Sequence, residues 1–459
     1  MRKHITQAQE RLTFIPPRFN RGVLAFARLI SSLYIRKALG IRVEKCEGME
    51  RLAEEYRRFH EGGSRLILVF RHVHVHDAQV IFHLVNTILP REAKRLGLRL
   101  RQRPHAHFLY GRGVPLWAGK GLEMLFSRLA AVPVSHRKLD RSSIDTIRSF
   151  ITGGRFPVAL APEGQVTYHN RHVYEIEPGF AQLALWADED LKAGSDMAGV
   201  ETFGAVESTG TPGRPDVRIL PISQYYRYGD DPEKVLHTVL DTIERETGIE
   251  SSSMREPDPA ERLRFIGARL LSIIETFYRR FYHLSFSDRV SLSEAASPAG
   301  AEEIGEEEFS RRRVERLTDA VLGLQERKFG IRAPYTTFTP RIFTVRQAGW
   351  DRIFHVDPSD KSRRSELQKS MDDYIAAEAD LFTRHLELVD LLSYMRPEYG
   401  TEEKELNMMV ETALNLHDLS MRIRGGNIAD RLDIRPTYVS LSIGEPISLS
   451  DTPLFTDGQ

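Results

Sequence analysis

The segment SRLILVFRHVHVHDAQVIFHLVNTIL, Ser64–Leu89, decides how the chain is read. Its opening, Ser64 to Phe70, is a short, almost wholly apolar run, the signature of a buried strand. Asp77 then begins a second pattern, in which Val80, Ile81, Leu84, Val85 and Ile88 recur at helical spacing and Pro90 marks the expected stop. The same alternation continues downstream. AHFLYG, AVPVSH, FPVALAP and VRILPIS read as further strands, with helices around Leu122–Leu129, Ser142–Phe150 and Phe180–Ala187. Strands alternating with helices predict an α/β domain with a partly parallel sheet flanked by helices. A loop is expected over Gly204–Pro215, where turn formers replace any periodic pattern.

Composition bounds the remaining choices. The chain has 459 residues, 41% hydrophobic and 28% charged, with 64 Lys and Arg against 64 Asp and Glu. These values describe a globular chain and exclude wholesale disorder, a collagen-like chain or a polytopic membrane protein. The single cysteine, Cys46, excludes a disulfide framework and a four-cysteine zinc ribbon. A neutral balance without an aromatic-basic repeat argues against nucleic-acid binding.

The charge is unevenly placed, since the first fifty residues hold ten Lys and Arg against four Asp and Glu. The stretch GVLAFARLISSLYIRKALGIRVE is broken by Arg28, Arg36 and Lys37, so it is too charged to span a bilayer. Its apolar positions, Leu24, Phe26, Ala27, Leu29, Ile30, Leu33 and Tyr34, edged by basic residues, suit a helix lying at an anionic bilayer surface or packed on a core. Nothing near Met1 reads as a cleavable signal, and a cytoplasmic chain is expected.

Composition shifts again near Gly248. Pro259 suits the first turn of a helix, and amphipathic runs follow at Arg311–Lys328, Ser365–Met395 and Glu402–Ile423. The expected organisation is a basic amphipathic segment over 1–50, an α/β catalytic domain over 51–248, and a mainly helical C-terminal region over 249–459.

Three groups of residues carry chemistry. His72 and Asp77 flank the turn from the first buried strand into its helix. A neutral imidazole is a competent general base near pH 7, and a carboxylate can fix its tautomer. His72, His74 and His76 also alternate along one face, with Asp77, His105 and His107 as further donors, a set suited to zinc or iron and to metal-assisted hydrolysis. Finally, FPVALAPEGQV ends a strand with Pro162, Glu163 and Gly164, where a carboxylate can meet a ligand and glycine permits close approach. No glycine-rich nucleotide loop occurs, which disfavours nicotinamide and P-loop chemistry.

Taken in order, these elements resemble the glycerolipid acyltransferase superfamily, which includes lysophosphatidate and glycerol-3-phosphate acyltransferases. The resemblance rests on the histidine and aspartate spaced as His72 and Asp77, on AVPVSHRKLDRSS with Arg137, on the Pro162-Glu163-Gly164 core, and on VRILPIS with Pro221. It covers Gly22 to Asp230. Departures are Arg71 where the family often has asparagine, His74 in place of a small polar residue, Ala161 for phenylalanine, and Gln165 and Val166 in the third block.

The resemblance implies transfer of a fatty acyl group from acyl-CoA or acyl carrier protein to a hydroxyl of glycerol phosphate or a lysophospholipid, with 1-acylglycerol-3-phosphate favoured. It implies His72 as base, Asp77 as its orienting partner, and Arg137, assisted by Lys138 or Arg141, on the acceptor phosphate. Glu163 and Gly164 would shape the acceptor site, Gly164 offering a backbone N–H to the oxyanion. No metal or cofactor is required. A peripheral or monotopic place on the cytoplasmic membrane face is expected with it. The alternatives are the histidine-cluster metallohydrolase and a catalytically inactive membrane scaffold.

Overall fold

The computed structural model describes residues 4–114, 119, 121–135, 140–194, 214–251, 258–286, 306–332, 335, 337–360, 363–393, 403–426 and 430–451. In chain order its strands are β1 (Gln9–Glu10), β2 (Ile41–Glu47), β3 (Ser64–Phe70), β4 (His107–Gly111), β5 (Val132–Val134), β6 (Val158–Leu160), β7 (Asp216–Tyr228), β8 (Phe354–Val356), β9 (Thr437–Ile443) and β10 (Ile447–Ser448). The chain divides into two units, one of residues 12–227 with 435–459, the other of residues 1–11 with 228–434.

The first unit is α/β. Its sheet runs β2-β9-β7-β3-β6-β4-β5, with β10 antiparallel on β7. β3 is parallel to both β6 and β7, β4 to β5 and β6, and β2 to β9. Ile67, Val158 and Val217 from three adjoining strands meet Ile147, Phe150 and Ile151 of the helix Arg141–Gly153 in one core. Apart from β5 at the sheet edge, the apolar runs read from sequence thus become interior strands, buried because helices cover them. The helix Met49–His60 is fixed to the sheet by Glu55, whose carboxylate takes both branches of the Arg218 guanidinium at 2.8 and 3.0 Å in the interior.

The helix Arg21–Leu33 is capped by Asn20, whose side chain accepts from Val23 N–H at 3.0 Å. It packs on the segment after β3 through Arg28 to Asn86 (3.0 Å) and Ser31 to His83 (2.8 Å). That segment does not stop before Pro90 as expected. The helix Asp77–His83 passes through a π-helical turn at Leu84–Ile88 into the helix Leu89–Arg95, with Pro90 in its first turn. A proline lacks an N–H, and the first turn of a helix is where none is required.

The expected boundaries at 51–248 and 249–459 differ from this division. Residues 437–448 return to the first sheet, where β9 lies between β2 and β7. In β9 Thr437, Val439, Leu441 and Ile443 alternate inward.

Among the described residues the second unit holds the helices Pro232–Thr247, Pro259–Tyr282, Glu306–Phe329, Phe338–Ile353, Glu366–Ser393 and Glu403–Ile423, with β1 parallel to β8. Its core joins Leu271, Ile274 and Tyr278 to Leu317, Val321, Ile342, Leu386 and Leu419. His385 is buried among aromatic rings, with Tyr278 Oη 2.7 Å from Nδ1 and Tyr282 Oη 3.0 Å from Nε2. Burial pushes its pKa down to about 4, so a neutral ring takes one hydrogen bond and gives the other. The mainly helical reading of this region holds, with the helices Pro232–Thr247 and Phe338–Ile353 added to those expected. The expected loop at Gly204–Pro215 falls largely outside the described residues. No helix among the described residues is long and apolar enough to cross a membrane.

Candidate active site

Sheet order brings the site together. β3 lies between β6 and β7, so the loops leaving β3 and β6 emerge side by side at the carboxyl ends of parallel strands. Phe70 pairs with Ile222 in β7, and Tyr226 lies on the continuation of β7 beyond the end of β3. His72, Glu163 and Tyr226, far apart in sequence, therefore meet.

His72 is held along its whole length. Its N–H donates to Glu163 Oε2 at 2.6 Å, and its carbonyl accepts from Thr167 N–H at 2.7 Å and the Thr167 hydroxyl at 3.1 Å. Ring atom Nδ1 lies 3.1 Å from Asp77 Oδ2. Asp77 is fully buried at the start of its helix, where Oδ2 also accepts from His74 N–H at 2.7 Å and Oδ1 accepts from the Tyr226 hydroxyl at 2.5 Å. A carboxylate only accepts, so Nδ1 carries the hydrogen and Nε2 is the basic nitrogen. The His72 side chain is 24% exposed, against 0% for Asp77, which leaves the imidazole accessible while its partner is shut in.

Arg71, where the resembled family has asparagine, ties the loop after β6 to the end of β3. Its guanidinium donates to the carbonyls of Asn170 (2.6 Å), His169 (3.2 Å) and His172, and faces Glu163 Oε1 at 3.4 Å. Asn170 grips β7 in turn, donating to the Tyr226 carbonyl at 2.6 Å and accepting from its N–H at 2.7 Å. The Tyr226 ring stacks on His74 at 4.8 Å. Tyr168 in the same loop is buried and holds φ +55°, a conformation that its surroundings must enforce.

Glu163, which the resemblance assigns to the acceptor site, has a side chain 1% exposed whose oxygens accept from Arg71 and the His72 backbone. Gly164 makes its turn at φ +70°, and its N–H donates to the Ala161 carbonyl at 3.3 Å. Arg141 is exposed in the first turn of its helix, with no bond to His72, Asp77 or Glu163. Arg137 and Lys138 lie outside the described residues.

The histidines do not converge. His105 Nε2 lies 3.0 Å from the Leu129 carbonyl, and His107 Nδ1 lies 3.0 Å from the Ala130 carbonyl. Burial lowers their pKa values to about 3 and about 4, so both are neutral core donors. Among the described residues no three His, Cys, Asp or Glu side chains are grouped to hold a metal ion. Sequence reasoning missed Thr167, Asn170 and Tyr226, and marked Arg71 only as a departure from the family pattern. For Tyr226 the available signal was an aromatic cluster, QYYRY, just past the proline-bearing strand.

No family model matches the chain, and no curated protein or solved structure is detectably similar to it.

Proposed function

We propose that the α/β unit is an acyltransferase, moving a fatty acyl group from acyl-CoA or acyl carrier protein to a hydroxyl of glycerol phosphate or a lysophospholipid, with 1-acylglycerol-3-phosphate the favoured acceptor. The observation that carries this reading is the accessible His72 imidazole, anchored through Nδ1 to a wholly buried Asp77. Nε2 takes the proton of the acceptor hydroxyl as its oxygen attacks the thioester carbonyl. The new C–O ester bond forms, the C–S bond breaks, and the imidazolium returns its proton to the leaving thiolate. Base assistance of this kind is worth roughly 100- to 10,000-fold. Asp77 steadies the transient imidazolium, and the bonds from His74 and Tyr226 hold Asp77 in place.

Glu163 and Arg71 act on this reading as the frame that sets the His72 backbone. The acceptor phosphate is assigned to Arg137, Lys138 and Arg141 by the family resemblance. An anionic bilayer as the source of acceptor is supported by the helix Arg21–Leu33, which turns Leu24 inward and exposes Phe26, Leu29, Ile30 and Leu33. The neighbouring helix Gly121–Arg128 adds exposed Met124 and Leu125, and the two are joined by bonds from Arg18 N–H to the Ser127 carbonyl (2.7 Å) and Asn20 N–H to the Arg128 carbonyl (2.8 Å). Arg21, Arg36 and Lys37 flank the apolar face.

The test pairs both donors with both acceptors in detergent micelles and follows the ester by mass spectrometry and the released thiol by absorbance. Ester and thiol appearing in equal amounts with at least one pairing is expected. Absence of ester from every pairing would overturn the reading.

A further inference from the structure

The helix Pro259–Tyr282 belongs to the second unit and has no part in the site above. Its inward face, Leu270, Leu271, Ile274 and Tyr278, sits in or beside the core of the helical bundle. Its C-terminal half also carries Ile273, Phe277 and Phe281, which recur every four residues yet are 46%, 40% and 61% exposed. Large apolar side chains aligned outside a core are the exception on a protein surface and mark a contact.

The exposed charges on this half of the helix have one sign. Arg279 and Arg280 are exposed on the same half of the helix, and Arg269 is exposed one turn before Ile273. The acid there, Glu275, is taken by Arg313 at 2.7 Å. The Arg280 guanidinium lies 5.3 Å from the Phe281 ring centroid. Just past the helix end, where His283 adopts φ +54°, a cavity of about 350 Å³ opens, lined by His283, Ser285, Asp319, Gly323, Arg327 and Arg341. Arg341 is committed to Glu326 and Asp319. Arg327 and His283 have no side-chain partner of this kind among the described residues. Gly323 leaves room for Arg327, since a Cβ there would stand 3.4 Å from Nη1.

We propose that this half-helix and its cavity form a second bilayer-docking face, seated on anionic phospholipid. Ile273, Phe277 and Phe281 enter the boundary between headgroups and acyl chains, and the arginines stay at the level of the phosphates. The cavity accepts one headgroup phosphate between Arg327 and His283, with the Ser285 hydroxyl as a further donor. Charge complementarity selects an anionic bilayer, and the apolar stripe selects it over a nucleic acid, which would pair with the arginines and leave that stripe in water. This face stands independently of the acyltransferase reading.

The experiment uses the full chain with Cys46→Ser and a fluorescent label on Phe281→Cys. A second sample carries the label on Thr238→Cys, an exposed position of the helix Pro232–Thr247. Each is mixed with phosphatidylcholine vesicles with and without phosphatidylglycerol, and quenching by brominated acyl chains is read. The label at 281 is expected to shift to the blue and be quenched in anionic vesicles, whereas the label at 238 is not. Replacing Arg279, Arg280 or Arg327 by Gln should weaken vesicle binding roughly fivefold each. Circular dichroism confirms that each variant is folded. A label at 281 that stays in water while the protein sediments with vesicles would overturn the proposal. So would failure to bind anionic vesicles.

Discussion

The Tyr226 hydroxyl donates to Asp77 Oδ1 at 2.5 Å, joining the end of β7 to the carboxylate that orients His72. Both side chains are wholly buried, so the bond fixes the carboxylate away from competing water. On the proposed mechanism Tyr226→Phe lowers kcat about tenfold and leaves KM unchanged, because only the orientation of the base is disturbed. If Tyr226 works through Asp77, the same substitution has little further effect in an Asp77→Asn background. Steady-state kinetics on the four proteins of the cycle measure both statements, and additive losses would refute the coupling.

Arg71 and Glu163 form a single frame, so removing either strands the other. Glu163→Gln leaves the Arg71 cation facing a neutral amide and takes a carboxylate from the His72 N–H. Breaking a largely buried charge pair costs about 3 kcal/mol. Urea denaturation should therefore show comparable losses for Glu163→Gln and Arg71→Met. Stability equal to wild type would show that the frame contributes nothing.

Acid should weaken the α/β unit through its buried histidines. Burial holds His60, His83 and His107 to about 4 and His105 to about 3, well below an ordinary histidine. Between those values and about 6.5 the unfolded chain binds more protons than the folded one, so stability falls as pH drops through that window. Melting temperature should decline from pH 7 to pH 5, and His107→Gln should flatten the decline. An unchanged slope in that variant would contradict the assignment.

Ending the chain after Ile434 removes β9 from between β2 and β7, together with β10. It exposes unpaired strand edges and deletes buried Val439, Leu441 and Ile443. The truncated protein is expected to lose the cooperative unfolding of the α/β unit, read by circular dichroism and limited proteolysis. Native-like protection of residues 64–70 would contradict a structural role for the tail.

Much of this was legible because burial leaves a local mark. The apolar runs at Ser64–Phe70, Val158–Leu160 and in β7 identified strands, and Asp77 and Pro259 identified helix starts. The tail strand carried its own signal, an inward alternation from Thr437 to Ile443, yet its place beside β2 depends on pairing across almost the whole chain. The run from Gly22 to Glu44 read as one amphipathic stretch, but a π-helical turn at Tyr34–Ala38 and Gly40, at φ +66°, divide helix from β2. In the site, the spacing of His72 and Asp77 marked a pair that does meet. The partners of Glu163 and the bond from Tyr226 were hidden because they follow from strand order rather than from neighbouring residues.

The central claim is that His72 is the base of an acyl transfer. The measurement that tests it most directly compares ester formation from acyl-CoA and 1-acylglycerol-3-phosphate by wild type and His72→Ala, both treated with chelator and both shown to be folded. The account predicts product from the wild type and at least a hundredfold loss in the variant. Equal rates in the two proteins, or wild-type activity that returns only with added zinc or iron, would contradict it.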